Sequence, residues 1–231
     1  AEESDCLFQM LADLGKEVYV LELNDLGGTA CRILVPDYSE VYLVEDLIWD
    51  NTNKALDYRD DILNLHALSD AQLAALIERL EESQLDNYLD IKTLIGVEFD
   101  ENTVWGQLTI LELKILGYLA LGELEEAIDL VAEFLQYNGN TVERNLFYQA
   151  VHAVLEVELD EELALSDYLH SFERMFGKAT MADVVGLVHG TVRFHGLFKT
   201  DINLTGIDRH LRLLESYQKL HTARSNHFKK A

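Results

Sequence analysis

Proline occurs once in the 231 residues, at Pro36. A chain with no proline beyond that point can run long helices, because the ring that breaks a helix interior is missing. Cysteine occurs twice, at Cys6 and Cys31, and one pair does not make a disulfide framework. Cys31 lies in an apolar, strand-like run and is expected to be a small core residue. Positive charge is scarce: 18 Lys/Arg stand against 42 Asp/Glu, a formal net charge of −24. Such a chain repels nucleic-acid phosphates and anionic membrane faces, although the same charge also serves plain solubility. No apolar run approaches the roughly 20 residues that span a bilayer. The N-terminus lacks a basic-then-apolar signal pattern. The expected compartment is the reducing cytoplasm. The first residue is Ala1 rather than an initiator Met, and the opening residues already read as mid-helix, so a fragment of a longer protein is expected.

The hydrophobic fraction is 48%, ample for a packed core. Glu2 to Leu14 places Leu7, Met10, Leu11 and Leu14 at helical spacing before Gly15. Glu17 to Leu23 and Ala30 to Val35 are dense in β-formers, and Asn24 to Gly28 between them carries turn residues, which predicts an antiparallel pair. Both strands are apolar at nearly every position, as in a sheet covered on both faces. Val41 to Leu43 could add an edge strand, and Glu45 to Asn53 reads as a loop or single turn.

Helical patterning takes over from there. Helices are predicted over Ala55 to Leu65, after Ser69 with Gln72 completing a capping box, and over Tyr88 to Ile95, with a polar break from Phe99 to Asn102. The stripe Leu73, Leu76, Ile77 and Leu80 faces inward. Thr103 to Asn138 then reads as two helices around the turn Leu121 to Ala127. The first places Trp105, Leu108, Leu111, Ile115, Tyr118 and Leu119 on one face. The second places Leu124, Ala127, Ile128, Val131 and Leu135 on one face. Further helices are predicted over Glu143 to Glu158, Glu162 to Phe176, Thr180 to Phe198 and Gly206 to Phe228. The last carries a stripe of Ile207, Leu211, Leu214, Tyr217 and Leu220. Short connections make successive helices antiparallel neighbours. The expected fold is mainly α, a helical-hairpin, tetratricopeptide-like array with a small N-terminal β-strand pair.

Leu116 to Gly139 resembles the later two-thirds of a tetratricopeptide repeat. Tyr118 fits the aromatic position, Gly122 the turn, Ala127 the small residue where the helices touch, and Gly139 the place of a proline. Ile115, Lys114 and Glu161 depart from the pattern. Tyr118, Gly122 and Ala127 are therefore candidate interaction residues. Charge supplies two more. Gly206 to Ala231 holds six Lys/Arg against Asp208 and Glu215, a net +4, which leaves −28 on the rest. Arg209 and Arg212 lead this basic end, which could dock on the acidic body or on an external acidic partner.

The familiar catalytic patterns do not form. Of the eight histidines (His66, His152, His170, His189, His195, His210, His221 and His227), none pairs at i, i+4 with a glutamate between. His189 and His195 would face different sides of one helix, and His195 falls on an apolar stripe. Gly27-Gly28 is no phosphate loop, and Cys31 has no placed base. The acidic runs Glu78 to Glu82 and Glu156 to Glu162 read as solvated helix faces. No catalytic, cofactor-binding or metal residue is assigned.

Lys16-Glu17-Val18-Tyr19-Val20, Asp25-Leu26-Gly27, Ala30-Cys31-Arg32-Ile33-Leu34-Val35-Pro36 and Glu45-Asp46-Leu47 together resemble the closing segment of the YcaO domain. Asp37 replaces the glycine usual in that family. Asn51 to Ala231 resembles the helical, tetratricopeptide-like extension of YcaO members that accompany ribosomal-protein methylthiolation, including Leu213 to Arg224 near its end. The resemblance implies a YcaO remnant at 1–47 and an all-helical domain at 48–231. It implies that ATP and magnesium are bound upstream, with no cofactor in this chain, which is then not itself an enzyme. It also implies self-association as a homodimer, or docking of a methylthiotransferase or ribosomal protein, with no nucleic acid or membrane partner. Two alternatives stand beside it: a free-standing enzyme built from dispersed carboxylates, and a scaffold that recruits such a partner.

Overall fold

The computed structural model describes residues 2–23, 30–35, 55–136 and 141–228. The chain divides into two compact units, Ala1–Asn53 and Lys54–Ala231. In the first, helix α1 (Glu2–Asp13) stops before Gly15, whose φ of +69° only glycine adopts easily. Strands β1 (Tyr19–Leu23) and β2 (Ala30–Leu34) pair antiparallel, Tyr19 opposite Leu34 and Leu23 opposite Ala30. The turn between them, the edge strand at Val41 to Leu43 and the segment Glu45 to Asn53 lie outside the described residues. The expected two-sided cover is corrected: Tyr19, Val20, Cys31 and Ile33 are exposed. Two strands offer no second layer of their own, so Cys31 is not a core residue of this chain.

The second unit is helical. Helix α2 (Ala55–Leu63) runs into a tight turn at Leu65–Ala67. Helix α3 (Asp70–Glu82) has the expected capping box, with the Gln72 N–H donating to the Ser69 hydroxyl and the Ser69 N–H to the Gln72 side chain. Leu73, Leu76, Ile77 and Leu80 are buried as their spacing demands. Helix α4 (Ile91–Ile95) is shorter than predicted. The reason is that Asp90 forms an isolated bridge with Thr109, which holds the preceding backbone extended.

The reading of Thr103 to Asn138 as a helix pair is also corrected. Helix α5 (Val104–Gln107) is separate from α6 (Ile110–Leu121), because Leu108 is extended and its carbonyl accepts the Ile91 N–H at 2.8 Å. Trp105 therefore packs away from the α6 stripe. It stacks on Phe99 at 5.1 Å and donates its indole N–H to the Phe198 carbonyl at 2.9 Å. Phe99 is fully buried, so the supposed polar break is an aromatic anchor followed by a turn.

Helix α6 is the axis of the unit. Its residues from Ile110 to Gly117 are all buried. It packs against α3, α7 (Leu124–Gln136) and α10 (Lys178–Val188). Gly117 allows the close approach of α3: a Cβ there would meet Ile77 Cδ1 at 2.5 Å. Helix α8 (Val142–Glu158), capped by Thr141, packs on α7, on α10 and on α9 (Leu165–Phe176). Every residue of α9 stays partly exposed, so its apolar side half-buries rather than entering the core.

The helix predicted over Thr180 to Phe198 ends at Val188. Gly190 turns left-handed and the Gly186 carbonyl accepts the Val192 N–H at 2.9 Å. Phe194, at φ +56° and buried, meets His66 edge-on at 5.3 Å. Burial of the ring and that contact act against a backbone strain of about 1 kcal/mol or more. Helix α11 (Asp208–Phe228) closes the chain. Of its expected inner stripe, Ile207, just before it, is buried, Leu211, Leu214 and Tyr217 are exposed, and the Leu220 side chain lies outside the described residues.

Candidate functional site

The α6–α7 hairpin is held from outside and inside. Tyr118 donates its hydroxyl to Glu81 on α3 at 2.5 Å. Burial, reinforced by Glu81, Glu126 and Glu123, pushes the phenol far above its ordinary value, so it stays a donor. Gly122 ends α6 at φ +79° with open space where a Cβ would stand. It lines a shallow cavity of about 290 Å³ with Leu121, Leu124, Val188, His189 and Gly190. The C-termini of α6 and α10 and the N-terminus of α7 border it. Ala127 is fully buried, so it serves the α6–α7 contact and cannot touch a partner.

The basic pair sits elsewhere. Arg209 reaches Glu98 at 3.1 Å and Glu101 at 3.6 Å. Arg209 and Arg212 line a second cavity of about 220 Å³ with Phe99, Asp100, Phe198 and Asp208. Four of the five candidates thus fall on two separate surfaces, and Ala127 on neither. Next to Arg209, His210 Nδ1 accepts the Glu98 N–H at 3.1 Å, which requires a neutral ring. Burial and Arg59 push its pKa down, while Glu98 partly offsets them. The basic end therefore docks on the acidic body through its first turn.

The most buried charged side chain among the described residues was not foreseen. Glu112 is 3% exposed, inside α6. It accepts from the Arg144 guanidinium on α8 and from the Tyr148 hydroxyl at 2.9 Å. Burial pushes its carboxyl above the usual range, and Arg144 and Tyr148 offset only part of that. Arg144 also lies over the Phe134 ring at 5.4 Å. Two residues on, the buried Lys114 donates to Asn87 at 3.2 Å, and Asn87 donates to Glu133 on α7 at 3.0 Å. Charges at 112 and 114 inside the apolar run Ile110 to Leu121 were a legible signal of buried partners. With both oxygens engaged, Glu112 clamps α6 to α8 and has no free base to offer.

The histidines stay apart. His189 Nε2 pairs with Glu158 at 2.9 Å, and His195, in the loop after α10, stacks on Phe147 at 4.5 Å. Among the described residues no group of three or more His, Cys, Asp or Glu could hold a metal ion. No helix among them is long and apolar enough to cross a membrane.

Residues 55–226 match the family model of the YcaO cyclodehydratase C-terminal domain. The chain is 34% identical over 233 residues to an uncharacterized protein of Haemophilus influenzae, covering 99% of this chain and 40% of that protein. It is 31% identical over 228 residues to the ribosomal protein S12 methylthiotransferase accessory factor YcaO of Escherichia coli, covering 97% of this chain and 39% of that protein. It spans about two-fifths of the length of these curated relatives. A helical unit matched over nearly its whole extent to that C-terminal domain is a member of the YcaO family.

Proposed function

We propose that this chain is the C-terminal protein-interaction and dimerisation module of a longer YcaO-type protein, accessory to methylthiolation of a ribosomal protein. One observation carries the reading. The two buried charged side chains among the described residues are both engaged, Glu112 with Arg144 and Tyr148, and Lys114 with Asn87. Large apolar side chains such as Val142, Met175, Leu213 and Tyr217 meanwhile stand exposed. Such apolar exposure on a charged chain supports association rather than chemistry. Nucleotide and magnesium chemistry then belongs to residues outside this chain, and the chain alone should turn over no ATP. A second reading, recruitment of a methylthiotransferase or its ribosomal substrate, draws support from the accessory-factor name of the Escherichia coli relative.

Two measurements test this. Immobilised chain is challenged with purified methylthiotransferase and ribosomal protein, and sedimentation measures self-association. Either kind of complex supports an interaction module. Magnesium-dependent ATP hydrolysis by the chain, abolished by substitution of one of its own carboxylates, would sink it in favour of a free-standing enzyme.

A further inference from the structure

The cavity at the α6–α7 turn joins an apolar lining to acceptors at helix ends. Buried Leu119 and Val188 line it with half-buried Leu121 and Leu124. Its volume of about 290 Å³ lies below the roughly 300–1,000 Å³ of pockets for whole ligands, and suits one extended side chain. Gly122 and Gly190 leave it open, since a Cβ on either would meet nothing within 4 Å. The Gly122 N–H donates to the Leu119 carbonyl and the Glu123 N–H to that of Tyr118. The His189 N–H donates to Val185 and the Gly190 N–H to Leu187. Among the described residues no backbone N–H reaches the Ala120, Leu121 or Val188 carbonyl. These carbonyls end α6 and α10, at the negative poles of two helices. The N-terminus of α7 would by itself favour an anion, but its first turn already holds Glu125 and Glu126.

We infer that this cavity receives a lysine side chain from a basic segment of a partner protein. The inference rests on the interaction-module reading above and names its docking point. Charge selects the occupant. No Lys or Arg occurs from 115 to 143 or from 145 to 173, stretches that hold all of α7 and α8 beyond Arg144. The cations next to the α10 end of the lining are paired or distant. Arg193 reaches Asp70 at 3.1 Å, and Lys178 opens α10, about 15 Å from Val188 along the helix. Against them stand Glu123, Glu125, Glu126 and Glu158, the last pairing with the lining His189 at 2.9 Å. An anionic side chain would face those carboxylates. A purely apolar one would cover the helix-end carbonyls and leave them unpaired. Lysine meets both demands: its four-carbon stem lies on the leucines and valine, and its ammonium donates to the carbonyls. An arginine fork is matched to the paired oxygens of one carboxylate, whereas these acceptors are separate carbonyls.

The test is amide NMR of the 231-residue chain, titrated to about 50 mM with Nα-acetyl-lysine methylamide and, separately, with its uncharged norleucine analogue. Saturable shifts are expected at Gly122, Leu124, His189 and Gly190, with a Kd of about 1–10 mM for lysine and binding of norleucine at least ~10-fold weaker. Gly122→Asn/Gly190→Asn keeps the left-handed turns, which asparagine tolerates, and obstructs the opening. It should abolish the shifts with unchanged circular dichroism. Glu123→Gln/Glu158→Gln leaves the shape and should weaken lysine binding about 5-fold. Equal binding of norleucine, shifts spread over the acidic surface, or no saturable shift overturns the inference. Capture of methylthiotransferase or ribosomal protein separates it from the reading above. An asparagine variant that captures either as well as the wild type does overturns the lysine pocket and leaves the interaction module standing. A wild type that binds neither protein nor itself overturns both.

Discussion

At the residue scale the decisive element is the buried carboxylate of Glu112. Its charge is tolerated because Arg144 and Tyr148 occupy both oxygens. Arg144→Ala leaves that charge unpaired and should cost about 3–5 kcal/mol in urea unfolding. Tyr148→Phe removes one neutral donor and should cost about 1–2 kcal/mol. The histidines set a pH dependence. His66 and His210 both have lowered pKa values, each mainly through burial. The unfolded rings take a proton near 6.5 and the folded rings resist to lower pH. Their contribution is therefore complete above that value and is lost as pH falls toward the folded values. Tm should drop between about pH 7.5 and 5.5, and His210→Gln should shrink that drop. Neither feature was read as a site from the sequence. Partner identity for Glu112 comes from α8, some 30 residues away, and spacing does not encode it.

At the element scale, close approach decides which glycines matter. A Cβ on Gly106 would sit 2.2 Å from the Asp100 carbonyl oxygen, a rigid backbone atom. Gly106→Ala must shift the α5 turn and with it Trp105, and should cost about 3 kcal/mol or more. Gly122, by contrast, faces open space and pays only for its left-handed φ of +79°. Gly122→Ala should cost about 1–2 kcal/mol. Comparing the Tm of the two variants checks the order. The start and inner stripe of helix α3 were legible, because its capping box and apolar spacing are local. The breaks at Leu108 and Val188 were not. Each is set by a backbone hydrogen bond, one to Ile91 and one from Val192 to Gly186. Such bonds leave no periodic trace.

At the scale of the whole molecule, negative charge dominates. The chain carries −24, and −18 of it lies on residues 54–205. Self-repulsion should make the helical unit more stable in salt. Raising NaCl from about 10 to 300 mM should lift its Tm by a few degrees, read by circular dichroism. A salt-independent Tm would mean that local pairs such as Arg209–Glu98 already offset the repulsion. The strand pair points the other way. Tyr19, Val20 and Ile33 are apolar and exposed, a surface in want of cover rather than of salt.

The amino-acid order by itself determined the class of the fold. Freedom from proline after Pro36, 3.6-residue periodicity and local caps are enough to place most helices and the strand pair. Those signals act within a few residues, so one sequence carries them. The YcaO resemblance rested on equally local strings around the two strands. Only the tertiary structure decided which stripes are core and which are surface. It placed Ala127 inside a helix contact and Phe99 under Trp105, left α9 half-buried, and left Leu211 to Lys219 of α11 exposed. Burial depends on what the rest of the chain brings alongside, and an apolar stripe has the same spacing whether or not something covers it.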